Sequence, residues 1–261
     1  MDAIPFKVIN NLIIIEIDIE ERTGNFILDT GSDAIFLNSN NRKFSNKAAM
    51  FQTVNGVTNS EETKISHLKV GDITKENVSA YNTNLTNIEN FLNLKIAGII
   101  GAEFFNPHSI YLDFESNEIK FFKNAPDIES FGFLNHIDFS MKNGVPSTEL
   151  TFGNKKYTFI LDSGASIHLV DSTIIATQAS FFEKLTSDVK VESVGHSNIV
   201  SKYIIKSFSI DNTILKDHTC LVKDFTEFNE KGKPQISGIL SISKLTEKGI
   251  MIDFHRMKMY F

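Results

Sequence analysis

The stretch Phe26-Ile27-Leu28-Asp29-Thr30-Gly31-Ser32 returns as Phe159-Ile160-Leu161-Asp162-Ser163-Gly164-Ala165, an offset of 133 residues (29 to 162). Each copy is a run of large apolar residues that ends on a carboxylate, a hydroxyl and a glycine. Alone, such a triplet reads as a turn, because Asp and Ser bond to nearby backbone and Gly tolerates unusual torsions. Two further pairs lift it above that. Ala97-Gly98-Ile99-Ile100-Gly101 is matched by Ser237-Gly238-Ile239-Leu240-Ser241, and Ile110-Tyr111-Leu112-Asp113-Phe114 by Ile250-Met251-Ile252-Asp253-Phe254, both at an offset of 140 (98 to 238, 110 to 250). Three blocks in the same order describe a duplicated unit.

The repeat divides the chain into residues 1–122 with Asp29, a connection over 123–144, and residues 145–261 with Asp162. The connection has an irregular pattern, with Pro126, Gly132 and Gly144, and Pro146 just beyond. Both copies read mostly as strand. Ile13, Ile15, Ile17 and Ile19 alternate with Ile14, Glu16, Asp18 and Glu20, the period-two mark of a half-buried strand. Residues 147–152 play the same part in the second copy, and residues 157–161 deliver Asp162. Helices are expected to be few and short. One is placed on Leu85, Ile88, Phe91 and Leu92. The other runs through Ile174, Ile175, Gln178, Phe181, Phe182 and Leu185 behind Asp171 or Ser172 as N-cap.

Composition removes several classes of function. Of 261 residues, 41% are hydrophobic and 22% charged, which is ordinary globular usage. The net charge is −6 with no long basic run, so no nucleic-acid partner is expected. Cys220 is the single cysteine, which rules out an intrachain disulfide and a cysteine metal site. The seven His form no His-x-x-x-His pair, so neither a metal nor another cofactor is expected. The apolar run at 12–15 is far too short to span a bilayer, and no membrane partner is expected. The N-terminus shows neither a signal peptide nor a Lys-rich zymogen segment. That reading makes the protein cytoplasmic if Met1 is the native start, and exported or periplasmic if a leader was removed. Duplication removes the need to dimerise, so a monomer is expected.

Two carboxylates at the ends of buried strands are costly singly. Facing each other across a pseudo-two-fold axis, they share one proton, because like charges that close cannot both ionise. Gly31 and Gly164 would let the chain turn tightly and leave room beside them. Thr30 and Ser163 supply hydroxyls that reach across the axis and lock the two loops.

Hydrophobic-hydrophobic-Asp-Thr/Ser-Gly-Ser/Ala, followed some seventy residues later by a hydrophobic-Gly segment, resembles pepsin-like and retropepsin-like aspartic peptidases, whose paired Asp residues are the standard instance of such proton sharing. The resemblance covers residues 6–122 and 145–261. It implies an all-β, bilobal acid-protease fold of two pseudo-two-fold-related β-barrel-like lobes with a cleft between them, and an extended peptide or protein as substrate. By the same resemblance Asp29 and Asp162 are catalytic, one activating a water and the other protonating the scissile carbonyl, with no metal and no covalent intermediate. Thr30, Gly31, Ser32, Ser163 and Gly164 support them. The family covers its cleft with a β-hairpin flap. Candidates are Asn55, Gly56 and Val57 in the first copy, and Gly195 and His196 in the second. Two such hairpins resemble the symmetric retropepsin dimer more than pepsin.

The function implied is an aspartic endopeptidase. The alternative is a non-catalytic peptide- or protein-binding module on the same fold, which loss of either Asp would favour. A structural protein using open β edges is a third reading. Three departures stand out. No aromatic occupies the pepsin flap position, with Phe51 and Tyr81 only nearby. Ser241 stands where the first copy has Gly101. Ser32 follows the first motif while Ala165 follows the second. A Ser32 hydroxyl donating to Asp29 would make that carboxyl the more easily ionised, with activity persisting nearer neutral pH. His168 lies near Ser163 and Ser166, but lacks the oxyanion and orienting partners of a Ser–His scheme and reads as a packing or surface residue.

Overall fold

Apolar runs separated by left-handed Asn, Asp and Gly turns make this chain almost entirely strand. Asn10 and Asn11 (φ 51° and 65°), Gly71 (56°), Gly144 (81°), Gly153 (65°) and Asp211 (49°) all occupy turns between paired strands. The computed structural model describes residues 3–20, 22–39, 49–53, 56–193, 196–229 and 235–261.

The first half contributes β1 (Ile4–Ile9), β2 (Leu12–Ile19), β3 (Arg22–Asp29), β4 (Phe36–Asn38) and β5 (Ala49–Thr53). It continues with β6 (Gly56–Val70), β7 (Ile73–Thr83), helix α1 (Thr86–Leu92) and β8 (Gly98–Gly101). Helix α2 (Ala102–Phe105), β9 (Ser109–Asp113) and β10 (Glu118–Phe122) come next, then β11 (His136–Asp138) and β12 (Ser140–Lys142). The second half repeats the plan with β13 (Val145–Phe152), β14 (Lys155–Asp162), β15 (His168–Asp171), helix α3 (Ser172–Thr177) and β16 (Phe182–Ser193). It ends with β17 (His196–Ile210), β18 (Thr213–Lys223), β19 (Gly238–Ser241), β20 (Gly249–Asp253) and β21 (Lys258–Tyr260). The all-β expectation with few short helices holds.

Two six-stranded barrels result. Strands β2-β3-β8-β4-β7-β6 form the first, closed where Asp18 of β2 pairs with Lys69 of β6. Strands β13-β14-β19-β15-β18-β17 form the second, closed where Leu150 pairs with Ile210. Closure leaves few edges to protect. A third layer, β11-β21-β20-β9-β10-β1, ties the barrels together. At its centre Tyr111 pairs with Met251, its own repeat mate, so the pseudo-two-fold axis passes between them.

The cores follow from strand alternation. Ile13, Ile15, Ile17, Phe26 and Leu28 fill the first barrel, and Leu150, Phe152, Phe159 and Leu161 the second, all at most 1% exposed. Each such side chain stabilises the fold by about 1.5–3 kcal/mol. Ile14 and Ile27 are buried as well, on the opposite face, because α1 lays Leu85, Ile88 and Leu92 over them.

One helix is shorter than its periodicity predicts. Asp171 caps α3 by accepting from the Thr173 N–H at 2.7 Å, but the helix stops at Thr177. Phe182 and Leu185 belong instead to β16, where Phe182 pairs with Ile205 and packs on Phe152. Cross-strand pairing and aromatic packing override the helical spacing. No helix among the described residues is long and apolar enough to cross a membrane.

Candidate active site

Strands β3 and β14 end on Asp29 and Asp162, and each runs parallel to the glycine-bearing strand of its own barrel, β8 or β19. The two loops that follow meet at the axis. Ser163 Oγ accepts from the Thr30 N–H at 3.0 Å and donates to the Leu28 carbonyl at 2.7 Å. Thr30 Oγ1 mirrors it, accepting from the Ser163 N–H at 3.0 Å and donating to the Leu161 carbonyl at 2.8 Å. Both residues are fully buried. Four bonds across one axis fix the two motifs relative to each other.

The two aspartates lie within this frame, each carboxyl packed against the glycine of the opposite motif and close enough to act on the other's ionisation. The Gly31 N–H donates to Asp29 Oδ1 at 2.9 Å and the Gly164 N–H to Asp162 Oδ1 at 2.6 Å. Neither glycine has a positive φ, so the backbone does not demand them. Space does: a Cβ on Gly31 would stand 2.5 Å from the Asp162 Cγ, and one on Gly164 would stand 2.4 Å from the Asp29 Cγ.

Burial pushes Asp29 well above the ordinary carboxylate range, and the neighbouring Asp162 charge adds to it. Burial also raises Asp162, against the neighbouring Asp29 carboxyl and the N–H groups of Gly164, Ala165 and Gly31. Asp29 is favoured as an anion by the N–H groups of Gly31 and Ser32. The two carboxyl groups are both pushed up and titrate as a pair. The hydroxyl bond to Asp29 expected of Ser32 is not formed. The Ser32 hydroxyl is engaged elsewhere, donating to the Ala34 carbonyl at 3.1 Å and accepting from the Ala34 N–H at 3.3 Å. A Ser32→Ala substitution should accordingly leave the pH dependence of any hydrolysis in place, with its alkaline limb above the ordinary carboxyl range. A limb displaced by the substitution would return the hydroxyl to Asp29.

The Gly101/Ser241 difference has a local cause. A Cβ at Gly101 would lie 2.5 Å from both the Ser32 and Ala34 carbonyl oxygens. In the second copy Ser241 fits, and its hydroxyl donates to the Ala165 carbonyl at 2.6 Å. The hydroxyl that the first copy carries on the loop is carried by the neighbouring strand in the second.

His168 is a buried packing residue just behind that strand. Its Nδ1 accepts from the Ser241 N–H at 3.0 Å, which leaves the ring proton on Nε2, facing His218 Nδ1 at 3.1 Å. Burial, with His218 and Lys244 nearby, lowers its pKa to about 3. Between the ordinary histidine pKa, about 6.5, and that value, the unfolded chain takes up a proton that the folded one refuses. Stability is lost as pH falls through this window, by about 1.4 kcal/mol per pH unit. The neutral variant His168→Asn should thus gain on the wild type in unfolding free energy as pH drops from 6.5 to 4. A pH-independent difference between the two would rule this out.

A cleft of about 570 Å³ opens around the two aspartates. Leu12, Ile27, Phe36, Phe51, Ile88 and Ile99 line one side, and Ile160, Ile167, Leu169, Leu221, Phe228 and Ile239 the other. Phe51 packs edge-on against Phe36 and Tyr81, at 5.0 and 4.4 Å between ring centroids. Asn11 was not singled out by the sequence. From the β1–β2 turn it donates to the Ser166 carbonyl at 3.2 Å, and its own carbonyl accepts from Ser243 at 2.9 Å, so it joins the two halves at the cleft. Of the flap candidates, Asn55 and Gly195 lie outside the described residues. Gly56 and Val57 begin β6, with Gly56 paired to Thr53, and His196 begins β17, paired to Ser193. Gly56 is therefore a strand residue and not the second residue of an Asn-Gly turn.

A family model described as "Aspartyl protease" matches the chain twice, over residues 15–104 and 148–243, once in each copy of the repeat. The chain belongs to the aspartyl protease family. Each match contains one Asp-Thr/Ser-Gly motif. No curated protein matches the chain by sequence. Among solved structures, the aspartic proteinase from Irpex lacteus is similar to it with a TM-score of 0.58, over 99% of this chain and 96% of that one, at 10% identity. Such low identity speaks for the fold alone, which is the bilobal aspartic-protease fold. Family and fold together support an aspartic peptidase activity.

Proposed function

We propose that this protein is an endopeptidase that hydrolyses peptide bonds with Asp29 and Asp162. The observation that carries the reading is the packing of each carboxyl against the glycine of the opposite motif, at the floor of an apolar cleft. Two carboxyl groups held that close share one proton, the state in which one partner can act as base and the other as acid. The ionised carboxylate of the pair takes a proton from a water between them. The water oxygen bonds to the scissile carbonyl carbon as the protonated partner delivers its proton to the carbonyl oxygen, giving a neutral tetrahedral diol. Collapse of the diol breaks the C–N bond as the amine takes up a proton, and the pair returns to one shared proton.

Thr30, Ser163, Gly31, Gly164 and the Ser32 N–H hold this geometry to the tolerance that catalysis needs. The substrate lies extended, adding a strand under the β5–β6 and β16–β17 hairpins, with Asn55, Gly56, Val57, Gly195 and His196 as the flap residues of this reading. Residues 1–122 and 145–261 act as two lobes joined by 123–144, so one copy of the chain supplies both carboxylates and no partner is required. The test is incubation with an unfolded casein-type substrate from pH 3 to 8, a span that brackets carboxyl titration, with and without a statine inhibitor. Inhibitor-sensitive fragments are expected. Tight peptide binding with no fragments at any pH would select the non-catalytic binding module.

A further inference from the structure

The two walls of the cleft are built from equivalent rows of residues that end differently. In the second barrel, register partners run across five strands from Ile160 to Ile239, Leu169, Leu221 and Lys202. Residues opposite one another in a ladder project from the same face of the sheet, and all five line the cleft. The equivalent row of the first barrel runs Ile27, Ile99, Phe36, Tyr81 and Glu62. Lys202 and Glu62 are therefore repeat mates (62 to 202) with opposite charge. They also differ in access. Phe51 packs over Phe36 and Tyr81, and neither Tyr81 nor Glu62 reaches the cleft. On the other side Phe228 packs against the apolar part of the row, and the half-buried Lys202 lines the cleft itself.

The Lys202 side chain makes no hydrogen bond or ion pair with any described residue. Lys190, from the adjacent β16, adds a second cation to the same wall. Among the described residues, the acidic groups that line the cleft are Asp29, Asp33 and Asp162. The first two belong to the opposite half, and Asp162 is packed against the Asp29 motif. The Lys202 ammonium thus stands on the Asp162-side wall with no carboxylate partner among the described residues.

Resting on the peptidase reading, we propose that Lys202 makes this wall a subsite for a carboxylate side chain. The substrate then combines a large apolar residue, held by the Phe36 and Phe51 side, with an Asp or Glu on the opposite side of the cleft. Charge pairs at a cleft wall act mainly through selectivity, by attracting one sign and rejecting the other.

The test is a set of peptides in which Glu, Ala or Lys replaces, in turn, each of the four residues on either side of the cleaved bond. At one position Glu should exceed Lys by about tenfold in kcat/KM at low ionic strength, less as salt screens the pair. Lys202→Glu should invert the order, and Lys202→Met, which keeps the apolar stem, should erase it. The same peptides are also ranked as competitors against a fluorescent statine peptide, so the charge preference is read whether or not cleavage occurs. Absence of cleavage with Glu still preferred in binding would remove the peptidase reading and leave the subsite. Equal tolerance of Glu and Lys at every position, in rate and binding, would overturn the subsite. So would a preference that survives in Lys202→Met.

Discussion

Changing Asp29 or Asp162 to Asn should cost at least about 10³-fold in the rate of peptide hydrolysis while leaving the protein folded and, at neutral pH, more stable. The rate effect follows from chemistry. An amide neither takes the proton of the attacking water nor delivers one to the carbonyl oxygen, and each single change removes one of the two roles. The stability effect follows from burial, which raises both carboxyl groups above their ordinary range. A folded state that holds protons more tightly than the unfolded chain has its advantage below the ordinary carboxyl pKa and loses it as pH climbs through the raised value. The wild type therefore carries a penalty at pH 7 that it does not carry at pH 4. Asn removes the buried charge, so the Tm of either variant relative to wild type should be higher at pH 7 than at pH 4. Unchanged hydrolysis in both variants would dismiss the pair as the catalytic centre. A variant that loses activity by unfolding would show it in circular dichroism.

The second large effect is expected from a methyl group. Gly164→Ala places a Cβ 2.4 Å from the Asp29 Cγ and within 2.8 Å of both its oxygens. Ordinary contact needs about 1 Å more, and the Asp29 side chain is too short to swing clear without parting from Asp162. Displacing a reacting group by about 1 Å costs on the order of 10²-fold in rate. The torsions are ordinary, so Ala adds no backbone strain and slightly lowers the entropy of the unfolded chain. A fall in kcat/KM of about 10²-fold with little change in Tm is thus the expected signature, and Gly31→Ala should mirror it through Asp162. Full activity in both variants would mean that the close approach of the two motifs is not what hydrolysis uses.

Much of the fold could be read from the repeat and from the strands that carry it. Ile13, Ile15 and Ile17 announced a barrel strand by alternation, and the two Phe-Ile-Leu-Asp runs marked the strands that meet at the axis. The limits were tertiary. Phe181, Phe182 and Leu185 keep helical spacing, but the pull of Phe152 and of a fifteen-residue partner strand lies outside any local window. Ser32 invited a side-chain bond to Asp29, yet a turn offered its hydroxyl a nearer partner two residues on. Gly31 and Gly164 were visible as glycines, but torsion and crowding cannot be told apart until the opposing carboxylate is placed. Lys202 became legible only through register across five strands. The 140-residue offset already paired it with Glu62, and that swap of charge was the signal in the sequence.

The Tyr111–Met251 pairing also bears on how the chain is made. Strand β9 finds its neighbour β20 only after residue 253 has been synthesised, some 140 residues later. While a ribosome elongates the second half, the first half therefore exposes an unpaired edge at Ser109–Asp113, open to pairing with another nascent chain. A message broken before codon 249 would release a product with that edge permanently uncovered. Such truncated chains should join through β9 into head-to-head dimers or aggregates, and a separately supplied peptide of residues 249–261 should suppress that association.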